Sequence, residues 1–324
     1  MSALTRELRV QAGSQVSFAL GVTPTVQLRG IEELMLRSKN NVIMLEDMSL
    51  GLAGPSQAVV AGIGGEGSVS AWCSYEHLAY WLDNLFGQAT PSGAGPYVRA
   101  YAAPAATAPT PRLLSLVKGT SVGAYQMVGA LLSSLTLRLE QESPLRLNGD
   151  LVGNKLATDA LESLADVAVN PIMANQVASI HWDAWAGTIG TTALDRCFVR
   201  MLELTVEPDR ALRPCFGSIT KDSYAERAWN GSLRLSLEFN ATTKADVDAI
   251  IGGTLTQRQV RVTFADGASR GLVLNFAGTV TDDLEVFADD DGVVTVEVTL
   301  TRTYHSTLGN WLTASLTNSV STLT

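Results

Sequence analysis

Three glycines, Gly62, Gly64 and Gly67, satisfy the G-x-G-x-x-G spacing by which a backbone loop can approach a dinucleotide pyrophosphate. That chemistry needs the loop to follow a strand and to open a helix whose N-terminal amides hold the phosphates. Here the glycines open onto an alternating strand from Ser68 to Ser74, so the reading is a flexible loop before a strand and no nucleotide site. The acidic cluster Asp282, Asp283, Glu285, Asp289, Asp290 and Asp291 raises the question of calcium. Calcium loops space their oxygens at alternate positions around a central glycine, whereas these carboxylates fall on a strand end and a hairpin tip. They read as a solvated edge. The HWDAW run from His181 brings aromatic rings and an acid together but no second histidine. His77, His181 and His305 are far apart in sequence, and no nucleophile elbow, Walker loop or His-Glu-x-x-His motif accompanies them. His77, next to Glu76 in a helical stretch, reads as a surface polar residue. Cys73, Cys197 and Cys215 lack metal-ligand spacing; Cys73 lies on the alternating strand as a small core residue, and a Cys197–Cys215 disulfide is not expected in a reducing compartment. No catalytic constellation emerges, so the expectation is a protein that is not an enzyme and needs no metal or cofactor.

The composition agrees with a structural or binding role. At 324 residues, 46% hydrophobic and 17% charged, the chain can build two domains with cores of their own. A net charge of −9, from 23 basic and 32 acidic side chains, argues against gripping nucleic acid through neutralised phosphates. The N-terminal MSALTRELRV has no apolar core of a secretory signal, and no apolar run approaches the roughly 20 residues that span a bilayer, so no membrane partner is expected.

The elements that would position any site are mostly strands. Alternation marks Leu8 to Phe18, Glu33 to Leu45, Ser68 to Ser74, Leu113 to Val117, Tyr125 to Leu139 and Leu145 to Leu151. It returns at Cys197 to Val206, Ser232 to Phe239, Val260 to Phe264, Gly271 to Val280, Leu284 to Phe287 and Val293 to Arg302. Asp290-Asp291-Gly292 reads as a hairpin turn between the last two. Two short helices are expected. In the first, Tyr75, Leu78, Leu82 and Leu85 share a face and Gly87 ends it in the left-handed region; in the second, Thr243 and Asp246 resemble a capping box, Val247, Ile250 and Ile251 form the apolar face, and Gly252 ends it. A third helix is expected from Lys155 to Val167, with apolar residues at Leu156, Ala160, Leu164 and Val167 and a stop at Asn170-Pro171.

The order of these elements repeats. GSVSAWCSYEHLAYWLDNLFG from Gly67 is matched by GSLRLSLEFNATTKADVDAIIG from Gly231, an offset of 164. GALLSSLTLRLEQESPLRL from Gly129 is matched by GTVTDDLEVFADDDGVVTV from Gly278, an offset of 149. The first copy therefore holds 15 extra residues, where the Ala/Pro-rich stretch Gln88 to Pro111 lies. IEELML at Ile31 is matched by MLELTV at Met201. Duplication at this period suggests two small β domains that build symmetry. The expected division is a first domain over 1–154, a helical linker over 155–170, a second domain over 171–305 and a C-terminal arm over 306–324 that frays or docks on a neighbour.

The segments GSVSAWCSYEHLAYWLDNLFG, RLLSLVKG and GAYQMVGALLSSLTLRLEQESPLRLNGDLVG, with their counterparts in the second copy, resemble the tail tube (major tail) proteins of long-tailed bacteriophages over Leu8 to Arg302. The resemblance implies a mainly β fold with short helices, built as two tandem sandwich or barrel domains, each flanked by one helix. It implies a virion protein, assembled in the host cytoplasm, whose rings join sheet edge to sheet edge and stack into a tube. Three chains would then complete a pseudo-sixfold ring. The implied partners are further copies of the chain, a tape measure protein and tail-end proteins, while DNA passes through without specific binding. Asp282, Asp283 and Asp289 become candidates for lumen-facing acids. Pro91, Tyr97, Tyr101 and Trp311, with the first dozen residues, Gln88 to Pro111 and the tail after Ser306, become candidates for contacts between rings. Another tail or capsid module, such as a terminator, baseplate or decoration protein, would stop at a ring or patch. A duplicated binding sandwich would need clustered exposed aromatics, but the six tryptophans are dispersed, with Trp72 and Trp81 and Trp182 and Trp185 as the close pairs.

Overall fold

The computed structural model describes residues 8–45, 57–253, 256–281, 285–290 and 292–323. The first half runs β1 (Arg9–Gln15), β2 (Val26–Gln27), β3 (Ile31–Leu45), β4 (Gln57–Trp72), α1 (Leu78–Phe86) and β5 (Tyr97–Ala102). It continues with β6 (Leu113–Thr120), β7 (Gly123–Glu140), β8 (Arg146–Gly153) and β9 (Lys155–Asp159). The second half runs β10 (Val177–Ala184), β11 (Ala193–Leu194), β12 (Val199–Glu207), β13 (Arg210–Arg213), β14 (Ser223–Glu226), β15 (Asn230–Glu238) and α2 (Ala241–Ile251). It ends with β16 (Gln257–Asp266), β17 (Arg270–Val280), β18 (Glu285–Asp290), β19 (Val293–Arg302) and β20 (Leu312–Asn318). The chain is mainly β, as its alternating pattern requires.

All the strand pairs are antiparallel, and the halves follow one order. In the first, β3 pairs with β4, β4 with β8, β8 with β7, β7 with β6 and β6 with β1. In the second, β12 pairs with β15, β15 with β19, β19 with β17, β17 with β16 and β16 with β10. The side strands correspond too: β2 lies on β1 as β11 lies on β10, and β9 lies on the start of β7 as β20 lies on the start of β17. Even the register agrees. Leu34 faces Val69 as Leu204 faces Leu233, and Val69 faces Gly149 as Leu233 faces Leu300. What the long β7 does alone, β17 and β18 divide between them, both pairing with β19.

The main core is one continuous cluster through both halves, with a small second cluster of Phe18, Leu113 and Leu131 beside it. Every residue of α1 is buried, not the single face that its spacing suggests. Its polar residues survive burial because they are bonded. Asn84 donates to the carbonyls of Arg112 and Ala130 and accepts from the Leu132 amide at 2.7 Å, while Asp83 accepts from Tyr101 and Arg112, each at 2.9 Å. Gly87 ends α1 with positive φ but an extended ψ, outside the left-handed helical region.

Several expectations change. Lys155 to Asp159 is a strand, not a helix, because it completes the unpaired margin of β7; beyond it Glu162 exchanges hydrogen bonds with buried Gln11, which holds the chain extended. The C-terminal segment is no loose arm. β20 fits between β17 and β5, with Leu312, Ala314 and Leu316 buried. The Ala/Pro stretch likewise contributes β5 as the partner of β20. Gly62, Gly64 and Gly67 lie within β4 and not in a loop; a side chain at Gly67 would meet the Met35 carbonyl at 2.3 Å. The cap of α2 sits one turn earlier than expected, with the Asn240 side chain accepting from Thr243 N and the Thr243 hydroxyl from Asn240 N. Of the expected apolar face only Val247 is buried, and Ile251 is 69% exposed.

Candidate assembly surface

The two halves meet strand to strand. The outer part of β7 pairs with β12 from Leu135 opposite Val206 to Glu140 opposite Met201. An unbroken eight-strand run results, in the order β3-β4-β8-β7-β12-β15-β19-β18. Alternation gives this run two unlike faces. One is core, with Leu34, Val69, Leu147, Leu137, Leu204, Leu233 and Leu300 buried. The other carries a polar row directly across the strands: Glu33, Ser70, Asn148, Thr136, Thr205, Ser232 and Thr301. The Thr136 and Thr205 hydroxyls meet across the joint at 3.2 Å. The neighbouring rows hold charge in pairs. Arg138 reaches Glu140 at 2.5 Å and Glu203 at 3.6 Å, Arg146 reaches Glu32 at 2.9 Å, and Arg234 is bonded to Glu297. Such exposed pairs contribute little stability, about 0–1 kcal/mol each. Their effect is to leave few cations free on this face.

Beyond β12 the chain folds back over the first half. The Arg210 side chain is fully buried, paired to Glu226 at 2.7 Å and donating to the carbonyls of Asn84, Leu85 and Leu132. The Ile63 amide donates to Ile219, Asn154 donates to Lys221, Tyr224 packs on Phe18 and Trp229 packs on Phe86. A groove of about 640 Å³ lies at the foot of the joint, walled by Glu140 and Gln141 on one side and Val177, Ile180 and Arg200 on the other.

The ends of the run differ from its middle. Among the described residues β3 pairs only with β4, and β18 only with β19. The outer part of the β3–β4 hairpin is apolar and uncovered, with Val42, Ile43, Met44, Val59 and Val60 from 45% to 60% exposed.

The expected site residues scatter. Asp282, Asp283 and Asp291 lie outside the described residues, and Asp289 lies on β18. Tyr101 and Trp311, expected between rings, are buried instead: the Tyr101 hydroxyl donates to Asp83, and Trp311 packs edge-on against Phe276. Their rings are committed to the chain's own core. Pro91 and Tyr97 are half-buried near the start of β5. His77 is buried, not a surface residue; its Nδ1 accepts from the Arg29 amide, and burial lowers its pKa. In HWDAW, Asp183 is buried at the foot of the turn between β10 and β11. Burial raises its pKa, but hydrogen bonds from the Gly190 and Thr192 amides and from Thr191 outweigh that and hold it below the usual range. Cys73 is buried, and Cys197 and Cys215 are exposed free thiols. No group of three His, Cys, Asp or Glu among the described residues is placed to hold a metal ion, and no described helix is long and apolar enough to cross a membrane.

The polar row has no cluster of acids to mark it in the sequence; its signal there is the out-of-core phase of each alternating strand. A family model described as phage tail tube protein matches residues 8–301. Among curated proteins none matches the chain.

Proposed function

The chain belongs to the phage tail tube protein family, and from that premise we propose that it is the subunit of a hollow tail tube through which the genome leaves the capsid. In this reading copies close into rings and rings stack along an axis. The observation that carries it is the eight-strand run ending in two half-paired strands, β3 and β18. Unpaired backbone donors and acceptors seek partners, and a closed ring of sheets satisfies them. The matching pairing order supports taking 1–154 and 171–305 as two equivalent units, so that three chains make a pseudo-sixfold ring. The polar row then faces the lumen, where hydroxyls and paired charges leave DNA little to adhere to. Asp282, Asp283 and Asp289 are the candidates for lumen-facing acids, and Pro91 and Tyr97 belong to contacts between rings. A tape measure protein and tail-end proteins set length and ends, assembly occurs in the host cytoplasm, and the role is mechanical with no catalysis.

Electron microscopy of the purified protein tests this. Hollow rods of regular repeat are expected, with three chains per ring by native mass measurement. Six chains per ring would refute the stoichiometry, single rings that never stack would favour a terminator, and compact monomers at high concentration would overturn the reading.

A further inference from the structure

We infer that the joint between chains copies the joint inside each chain, so that β3 of one copy pairs antiparallel with β18 of the next. This rests on the tube reading and adds to it the strands, their register and the surface that the β3–β4 hairpin covers. Inside the chain, β7 gives its outer part to β12. By pairing order β3 is the counterpart of β12, and β18 is the counterpart of the outer part of β7. These two strands, at opposite ends of the run, are the ones without the neighbour that their counterparts have. The contact they offer is heterologous: one end of a copy fits the other end of the next, which is the geometry that closes rings.

The register carries over. Leu34 opposite Val69 corresponds to Leu204 opposite Leu233, and Glu285 opposite Glu297 corresponds to Arg138 opposite Arg146. Glu203 opposite Arg138 in the internal joint therefore becomes Glu33 opposite Glu285 between chains; past Glu33 a bulge in β3 shifts the register.

Two further features fit the same placement. The groove at the internal joint has the β7–β8 turn as one wall; its counterpart beside Arg9, Arg29, Ile31 and Trp72 is lined by first-half residues with no such turn. The β18–β19 turn of the adjoining copy would supply it. In the first half, the end of α1 is covered by Trp229, Arg210 and the rest of the segment that follows β12. Among the described residues the end of α2 has no such cover, and Ile251 stands exposed there. The part of β3 beyond Arg37 belongs to the apolar hairpin arm and bears Val42, Ile43 and Met44; it would lie over α2 of the adjoining copy.

The test is a cysteine pair, Glu33→Cys with Glu285→Cys, in a Cys197→Ser, Cys215→Ser background, oxidised after tube assembly. A ladder of linked chains that needs both cysteines is expected. Well-formed tubes without links overturn this joint and leave the tube reading standing, whereas an unmodified chain that forms no tubes takes both down. Should the paired variant fail to assemble, hydrogen exchange on unmodified tubes decides the matter. Amides of β3 from Ile31 to Arg37 are expected to slow on assembly, and unchanged exchange there overturns the inference.

Discussion

Hydrogen bonds hold several single polar residues in this core. Asp183 is the clearest case, since a carboxylate at that depth survives only because backbone amides and the Thr191 hydroxyl point at it. Its depressed pKa has a definite sign. A carboxyl more acidic in the folded than in the unfolded chain contributes stability that is fully present above the unfolded value, about 3.9, and is lost as pH falls through the lower folded value. Comparing Asp183→Asn with the wild type by denaturant unfolding, the wild-type advantage should be constant near neutrality and shrink below about pH 4. An advantage that does not vary with pH would argue that the ionised form is not what the turn recognises. Neither this carboxylate nor buried His77 was readable as core from the sequence. A lone acid or imidazole carries no sign of the amides that will surround it, and those come from elements distant in the chain.

Among the elements, alternation marks twelve strands, and it is clearest where one face is buried and the other is not, as in β8 and β12. The strands it missed have other reasons to exist. β9 is short and half-exposed, and its apolar spacing happens to fit a helix, so only the empty margin of β7 decides its form. β5 lies in a stretch of alanines and prolines, and β20 in one of serines and threonines, yet each gives the other its partner. The offset of 164 between Gly67 and Gly231 reappears in the pairing of β4 and β15, whereas the offset of 149 does not: Arg138 on β7 corresponds to Glu285 on β18. The capping of α2 was misplaced by a turn, since Asn240 and Thr243 cap each other while Asp246 instead accepts from Trp182 at 2.7 Å. If β20 is part of the core and not an arm, Leu316→Ala should cost about 2–5 kcal/mol, the usual range for a fully buried leucine. Urea midpoints would measure it; a change below about 0.5 kcal/mol, typical of surface substitutions, would restore the idea of a peripheral tail.

For the whole molecule, the polar face of the eight-strand run is the feature with most functional weight. If it lines a channel for DNA, adding cations there should create phosphate contacts without disturbing the core. Asn148→Lys with Asp150→Lys, both exposed on β8, is expected to leave tube formation intact and slow DNA ejection, with the delay shrinking as salt rises. Ejection at the wild-type rate would place this face away from the genome. The joint between β7 and β12 has a different consequence. Because a continuous polypeptide holds those two strands together, every second seam in the proposed ring would be made during folding at an effective concentration no free neighbour could match. Assembly would have only the alternate seams left to form. A copy able to bind at one end and blocked at the other would therefore be accepted into a growing ring and then halt it, so a minority of damaged subunits could silence a majority of sound ones.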